Sequence, residues 1–344
     1  MPERSDRNQA LKLFRSANLL ELGEMANAMR RELHPDKIVS FVNDRNINYT
    51  NICVSGCKFC AFSRPAGHPE GYLLSYERIF QKIEELLSRQ GTQILLQGGM
   101  HPDLGIKWFE ELFQEIKQKY PIHIHGLSPP EIEFLAKKEG LSVKEVLTRL
   151  KNAGLDTIPG GGAEILSDRV RKKLSPKKVS ARGWLKVMET AHQLGIKSSA
   201  TMMFGSVETD EEIIEHLLKI RALQDKTNGF IAFIPWTFQP KNTGLSEIKP
   251  ASGVRYLRVL AISRLVLDNV PNIQCSWVTQ GAKIAQVSLF FGANDFGSTM
   301  LEENVVRSAG ADFRLSLAEI LRLIKDAGLV PAQRDAGYKI LKKF

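Results

Sequence analysis

Three of the four cysteines in this 344-residue chain lie within eight residues of one another. Cys53, Cys57 and Cys60 are separated by three and then two residues, whereas Cys275 lies far downstream. Thiolates at this spacing are ligands for a soft metal ion or an iron–sulfur cluster. Structural zinc sites usually take four protein ligands, so three thiolates favour a four-iron cluster with one iron open for chemistry. A zinc or redox-thiol site is the alternative, and the isolated Cys275 is expected to be a buried thiol.

The composition limits the class of protein. The chain has 43% hydrophobic residues and a net charge of +9, and its basic residues are spread in small groups without a nucleic-acid-binding motif. We therefore expect a solvated basic surface and no nucleic-acid partner. The sequence shows neither an early apolar run typical of a signal peptide nor the roughly 18 apolar residues of a membrane span. We predict a cytoplasmic protein, since reduced cysteines persist in that compartment.

Short apolar segments alternate with stretches of helical periodicity along most of the chain. About eight such alternations, with strands apolar enough to be covered on both faces, favour an α/β fold, a parallel (β/α)8 barrel of the TIM type. We assign residues 38–311 to this barrel, 1–37 to an N-terminal helical extension, and 312–344 to a C-terminal extension packed on the barrel. Strands are predicted at 38–42 leading into 46–49, and at 93–97, 122–125, 155–158, 197–204, 229–234, 273–277 and 293–295.

Glycine-rich turns follow two of the predicted strands, at the strand ends where a barrel enzyme places its chemistry. Gln97, Gly98 and Gly99 end one strand, and three glycines at 160–162 precede Glu164 after another. Glycine lets the backbone approach a ligand closely, so both turns are candidate ligand sites. The alternatives are a plain strand-to-helix turn at Gly98 and Gly99, and a first-turn acid at Glu164 that stabilises the next helix.

Other residues near the predicted strand ends are candidates for substrate contacts. His125 ends the third strand and Ser128 follows it. Thr201 lies at the fifth strand, Trp236 follows the sixth, and Asp295 ends the last one. A polar position inside the barrel is the alternative for His125, and packing in the core is the alternative for Trp236. His125 and Asp295 are also candidates for a general base.

The cysteine spacing, with the aromatic Phe59 directly before Cys60, resembles the signature of the radical S-adenosylmethionine (SAM) enzymes. Further runs resemble the branch of that family that serves menaquinone and deazaflavin biosynthesis. These runs, which extend over nearly the whole chain, are 48–62, 95–103, 160–166, 201–205, 233–236 and 295–306.

The resemblance implies a [4Fe–4S] cluster held by the three cysteines, with SAM bound at its open iron. It also implies that Phe59 lies against the adenine of SAM. The turn at 97–99 would hold the amino group of the methionyl end, and Glu164 would contact the ribose hydroxyls.

An enzyme of this branch receives one electron from an external reductant and generates a 5′-deoxyadenosyl radical. The resemblance implies hydrogen abstraction from the ribose of a small nucleoside-derived substrate and ring closure on the benzoate of the same molecule, as a step of menaquinone biosynthesis. His125 and Asp295 are then the candidates that accept the released proton. A sibling radical SAM enzyme with another substrate, and a non-catalytic iron–sulfur or zinc protein, are the alternatives.

Overall fold

The computed structural model describes residues 4–344, so residues 1–3 of the predicted N-terminal extension lie outside the described part. The strands are β1 (Ile38–Val42), β2 (Asp44–Ile47), β3 (Gln93–Leu96), β4 (His123–Gly126), β5 (Thr157–Ile158), β6 (Lys197–Phe204), β7 (Phe230–Thr237), β8 (Asn272–Ile273), β9 (Asp295–Ser298), β10 (Val330–Arg334) and β11 (Ile340–Lys343). The helices are α1 (Arg7–Ser16), α2 (Leu19–Leu33), α3 (Tyr76–Leu87), α4 (Ile106–Lys119), α5 (Pro129–Glu139), α6 (Val143–Ala153), α7 (Asp168–Leu174), α8 (Ala181–Gln193), α9 (Asp210–Thr227), α10 (Gly253–Val266), α11 (Trp277–Ser288), α12 (Val305–Ser308) and α13 (Leu317–Asp326).

The strands form two sheets that together close a barrel. In the larger sheet, β2 to β8 are hydrogen-bonded in sequence order, and each strand is parallel to the next. β1 continues into β2 after Asn43 and pairs in parallel with β9. An isolated parallel bridge between Gln274 and Asp295 joins the end of β8 to β9. The predicted (β/α)8 barrel is therefore confirmed, with β1 and β2 serving as one bent strand.

The connecting helices carry the apolar periodicity that covers the outer face of such a barrel. In α3 the fully buried residues Ile79, Ile83 and Leu86 recur at three- and four-residue spacing, which places them on one face of the helix. Side-chain caps fix where several of these helices begin. Thr209 and Glu212, for example, form a capping box at the start of α9.

The two extensions pack differently. α1 and α2 contact α9 and α10 on the outside of the barrel. In the C-terminal extension, β10 pairs in parallel with β1, and β11 pairs antiparallel to β10. The side-chain amide of Gln333 donates to the carbonyl of Gln90, which lies in the turn before β3. The C-terminal residues therefore cover the amino-terminal end of the barrel strands.

Some element limits differ from the sequence-based prediction. The helical stretch predicted over 130–152 is two helices, α5 and α6, because Gly140 between them adopts a positive φ of 65°. β7 continues to Thr237, so Trp236 lies within the strand. Neither α7 nor β10 was predicted. Among residues 4–344, none of the helices combines the length and hydrophobicity that a transmembrane span requires.

Candidate active site

The cysteine loop and several strand ends face one cavity of about 420 Å³ inside the barrel. Cys53, Cys57 and Cys60 line one end of it, and Arg334 and Tyr338 of the C-terminal extension line the wall as well. This volume lies in the range of small-molecule sites. The cysteines follow the carboxyl end of β2, and carboxyl ends of strands carry the active sites of TIM-type barrels.

The three cysteines present thiols, the donor type that iron–sulfur clusters take, on the wall of one cavity. The hydroxyl of Ser55 bridges two of the thiols, at 3.2 Å from Cys53 Sγ and 3.1 Å from Cys57 Sγ. The backbone N–H of Met100 donates to Cys53 Sγ over 3.3 Å, and such hydrogen bonds to sulfur tune a bound cluster. Burial raises the pKa of the Cys57 thiol, against the lowering effect of the Lys178 charge, and a bound metal centre would favour its thiolate.

Gly98 and Gly99 bring the end of β3 against the cysteine loop. A Cβ on Gly99 would lie 2.1 Å from the carbonyl oxygen of Ile52 and 2.9 Å from Cys53 Cβ. A Cβ on Gly98 would lie 2.6 Å from the ring of Tyr49. Only glycine allows this close approach, and it leaves the turn open to the cavity. Gln97 and Phe59 also line the cavity, and Lys178 Nζ lies 5.0 Å above the Phe59 ring.

Replacing Gly99 by alanine is expected to displace the cysteine loop, because the added methyl group meets backbone atoms that have no room to move. A displacement of about 1 Å near reacting groups costs on the order of 100-fold in rate. We expect a comparable loss of turnover together with a reduced iron content of the purified protein. Gly337→Ala is the control, since its Cβ would meet its nearest neighbour at an ordinary 3.4 Å. Equal iron content and turnover in the two variants would contradict this account.

Glu164 is a buried carboxylate with two cationic partners. Its Oε2 accepts from Arg171 Nη1 at 3.2 Å, and its Oε1 accepts from Lys178 Nζ at 2.9 Å. Burial raises the pKa of this carboxyl, but Lys178 and Arg171 outweigh that effect and hold the pKa below its ordinary value. Glu164 lines the cavity as an ionised acceptor. Its φ of 41° places it in the left-handed region, a strained conformation for a residue with a side chain.

Glu131 is a second buried carboxylate on the cavity wall, and the sequence analysis did not identify it. It is 5% exposed and lies in the first turn of α5. Its Oε1 accepts from the hydroxyl of Tyr49 at 2.8 Å and from the N–H of Gly98 at 3.2 Å. Its Oε2 accepts from the hydroxyl of Ser128 at 2.5 Å. The sequence shows Glu131 only as an acid after Pro129 and Pro130. This pattern indicates the start of a helix and nothing about a binding site.

The pKa of Glu131 is raised to about 7, since burial outweighs the hydrogen bonds from Ser128, Tyr49 and the Gly98 amide. Its ordinary value is 4.5, so between these two values the folded carboxyl is protonated while the unfolded one is ionised. Stability therefore falls as the pH rises through this window. Between pH 4.5 and 7, the free energy of unfolding of the wild-type protein without ligand should fall by about 3 kcal/mol relative to that of Glu131→Gln. Urea unfolding of both proteins at several pH values measures this difference, and parallel pH curves would contradict it.

The cavity is lined by three of the predicted substrate contacts, His125, Thr201 and Trp236. His125 Nδ1 lies 2.7 Å from the hydroxyl of Thr157, and burial lowers the pKa of this histidine to about 3. It is therefore neutral at physiological pH. The hydroxyl of Thr201 donates to the carbonyl of Gly160. Ser128 lines the cavity too, but its hydroxyl is bonded to Glu131.

Asp295 lies behind the cavity wall and is fully buried. Its two oxygens accept from Arg334, with 2.5 Å between Oδ2 and Nε and 3.2 Å between Oδ1 and Nη2. The hydroxyl of Ser40 donates to the same Oδ2. Arg334, and not Asp295, reaches the cavity. Thus the structure brings all of the sequence-predicted site residues except Asp295 to one cavity.

The comparisons with known proteins agree with this arrangement. Residues 47–220 match the family model of the radical SAM superfamily, and residues 227–343 match the CofH/MqnC C-terminal region. The cyclic dehypoxanthine futalosine synthase of Halalkalibacterium halodurans is 46% identical over 99% of this chain and 93% of its own length. The enzyme of the same name from Streptomyces coelicolor is 47% identical over 97% of this chain and 84% of its own.

Two further similarities are more distant. A 5-amino-6-(D-ribitylamino)uracil–L-tyrosine 4-hydroxyphenyl transferase of Methanopyrus kandleri is 40% identical over 89% of this chain and 85% of its own length. The crystal structure of a methylornithine synthase superposes with a TM-score of 0.76 at 20% identity, covering 96% of this chain and 95% of that one. At this identity the second similarity concerns the fold alone.

A barrel with three cysteines after its first strand, facing a cavity, is the arrangement expected of an iron–sulfur enzyme. The chain belongs to the radical SAM superfamily and, within it, to the family of the cyclic dehypoxanthine futalosine synthases. Its cofactors are those of the superfamily, a [4Fe–4S] cluster and SAM.

Proposed function

We propose that this enzyme converts dehypoxanthine futalosine into its cyclic form, a step of menaquinone biosynthesis by the futalosine route. The observation that carries this proposal is the 46% identity to a synthase of that name over almost the entire chain. The three thiols beside a cavity of ligand size support the reaction class. We also propose that the protein works in the cytoplasm and receives its electron from an external one-electron reductant.

Within this function, Cys53, Cys57 and Cys60 hold the cluster, and Gln97, Gly98 and Gly99 border the methionyl end of SAM. Phe59 packs against the adenine, and Glu164 contacts the ribose. Cluster and SAM together supply a 5′-deoxyadenosyl radical when both are bound. Glu164 is suited to its role because Arg171 and Lys178 keep it ionised and fixed in place, ready to accept two hydroxyl donors.

The remaining walls of the cavity hold the substrate and keep water away from it. His125, Ser128, Thr201 and Trp236 are the proposed substrate contacts, with Asp295 acting from behind Arg334. The C-terminal extension covers the barrel end away from the cysteines, which excludes competing hydrogen donors from a radical site. The barrel also keeps the ribose and the aromatic ring of one substrate molecule close together for ring closure.

After the carbon radical adds to the aromatic ring, loss of one electron and one proton restores aromaticity. The electron would pass to the oxidised cluster as its one-electron acceptor, and His125 and Asp295 are the proposed acceptors of the proton. His125 lines the cavity and is neutral, so it is available to take a proton, although its lowered pKa makes it a weak base. Asp295 accepts a proton only if Arg334 moves away from it, because both of its oxygens are bonded to that side chain. The arrangement therefore favours His125 over Asp295.

An anaerobic assay tests the proposed function. The reconstituted protein receives reductant, SAM and dehypoxanthine futalosine, and both nucleoside products are followed by mass spectrometry. We expect 5′-deoxyadenosine together with a product two hydrogens lighter than the substrate. Formation of 5′-deoxyadenosine with an untouched substrate would overturn the cyclase assignment. The next substrates to test would then be 5-amino-6-(D-ribitylamino)uracil and L-tyrosine, which appear in the name of the Methanopyrus kandleri transferase.

The reaction class has its own test, which does not depend on the substrate. Adding SAM to the reduced protein is expected to change the electron paramagnetic resonance spectrum of the cluster, because SAM would bind at the iron that the three cysteines leave open. A spectrum that does not respond to SAM would favour a cluster that only carries electrons.

A further inference from the structure

Two buried carboxylates face the cavity, and their surroundings differ in charge. Glu164 is paired with Arg171 and Lys178. Glu131 accepts only from the neutral donors of Tyr49, Ser128 and Gly98, and among residues 4–344 it forms no ion pair with lysine, arginine or histidine. A buried ionised carboxylate is costly unless a positive charge accompanies it. The chain thus gives one carboxylate of its cavity two ion-pair partners and the other none, although the charge of Lys178 reaches Glu131 from a greater distance.

The position of Glu131 indicates which cation it receives. Its Oε1 accepts from the Gly98 amide, so the carboxylate lies at the glycine turn that borders the proposed methionyl end of SAM. The residue that follows Gly99 in the turn is Met100, whose uncharged side chain offers no anion to an ammonium group. Tyr49 is 1% exposed and Ser128 is 6% exposed, so the two hydroxyls hold the carboxylate in one orientation. A ligand ammonium at the turn therefore finds one fixed anion, and that anion comes from α5.

We propose that Glu131 is the counter-ion of the α-ammonium group of SAM, an assignment that rests on the function proposed above. The ammonium donates to a carboxylate oxygen and supplies the direct ion pair that no side chain of the described residues gives Glu131. The raised pKa of Glu131 without ligand agrees with this role, because a bound cation replaces the proton that the empty site takes up. Tyr49 and Ser128 act as positioning residues for the carboxylate.

The experiment measures SAM binding and not turnover. Cluster-loaded wild-type protein and the Glu131→Gln variant are dialysed anaerobically against radiolabelled SAM, and against a SAM analogue in which hydrogen replaces the α-amino group. We expect the variant to bind SAM at least about tenfold more weakly, as for the loss of one charged hydrogen bond, and to bind the analogue as the wild type does. Glu139→Gln is the matched control, since Glu139 is an exposed acid on the same helix, and it should bind both ligands normally.

A second variant covers the case in which Glu131→Gln does not fold or does not retain its iron. Glu131→Asp keeps the charge and withdraws the carboxylate by one methylene, so the preference for SAM over the analogue should again shrink. Unchanged SAM affinity in a cluster-loaded variant would overturn the assignment, and so would an equal loss of affinity for both ligands. Each of these results leaves the proposed function intact. A wild-type protein that does not bind SAM would instead overturn the proposed function.

Discussion

Replacing Cys57 with alanine is expected to abolish both cluster retention and turnover. Cys57 is the most buried of the three cysteines in the loop, at 7% exposure, and Ser55 connects it to Cys53. Its loss leaves two of the three proposed ligands, and the one other thiol of the chain, Cys275, lines the same cavity but is only 1% exposed. Iron and sulfide content per chain, together with the yield of 5′-deoxyadenosine, measure the effect. We expect iron near the background of the measurement and no detectable turnover.

Cys275→Ala is the matched control for this experiment. The thiol is buried at 1% exposure, and its Sγ lies 3.7 Å from the carbonyl oxygen of Phe296. Burial raises its pKa to well above that of an ordinary thiol, as expected for an inert structural cysteine. The variant should retain its cluster and most of its turnover. Loss of the cluster here, or its retention in Cys57→Ala, would show that the ligands are assigned wrongly.

The order of strands and helices was predictable because the barrel repeats a local pattern. The segment 229–234, for example, is an apolar run with a helix on each side, and the structure begins β7 at Phe230. β10 lacked such a pattern, because its sequence contains Pro331, Gln333 and Arg334. It is a strand because β1 offers it a partner almost 300 residues earlier in the chain. Periodicity within a short window carries no information about such a pairing.

The cysteine loop and the glycine turns were predictable for a different reason, since their residue types are rare and their spacing is short. Glu131 was missed because an acid in the first turn of a helix is common and has an ordinary explanation. Its importance depends on contacts with Tyr49, 82 residues away, and with the Gly98 amide. Asp295 was predicted at the carboxyl end of the last strand, but this placement was wrong, because Asp295 is the first residue of β9. Its partner Arg334 comes from the unpredicted β10. In both cases the contacts between distant segments decide the role of the residue.

Replacing Arg334 with methionine is expected to destabilise the fold strongly. Asp295 is fully buried, and Arg334 is its only cationic partner within the described residues. The variant leaves the carboxylate with only the hydroxyl of Ser40 and the N–H of Gly297 as donors. Removing one partner of a buried ion pair costs about 3–5 kcal/mol. Urea unfolding followed by circular dichroism measures this loss as a lower midpoint.

The double variant Arg334→Met with Asp295→Asn separates the charge from the packing. If the cost comes from an unpaired carboxylate, neutralising Asp295 should recover most of the stability that Arg334→Met loses. Recovery also shows that β10 keeps its place beside β1 without the ion pair, since methionine retains much of the apolar volume of arginine. A double variant as unstable as Arg334→Met alone would place the cost in the displacement of β10. The covering of the barrel end by the C-terminal extension would then depend on Arg334 itself.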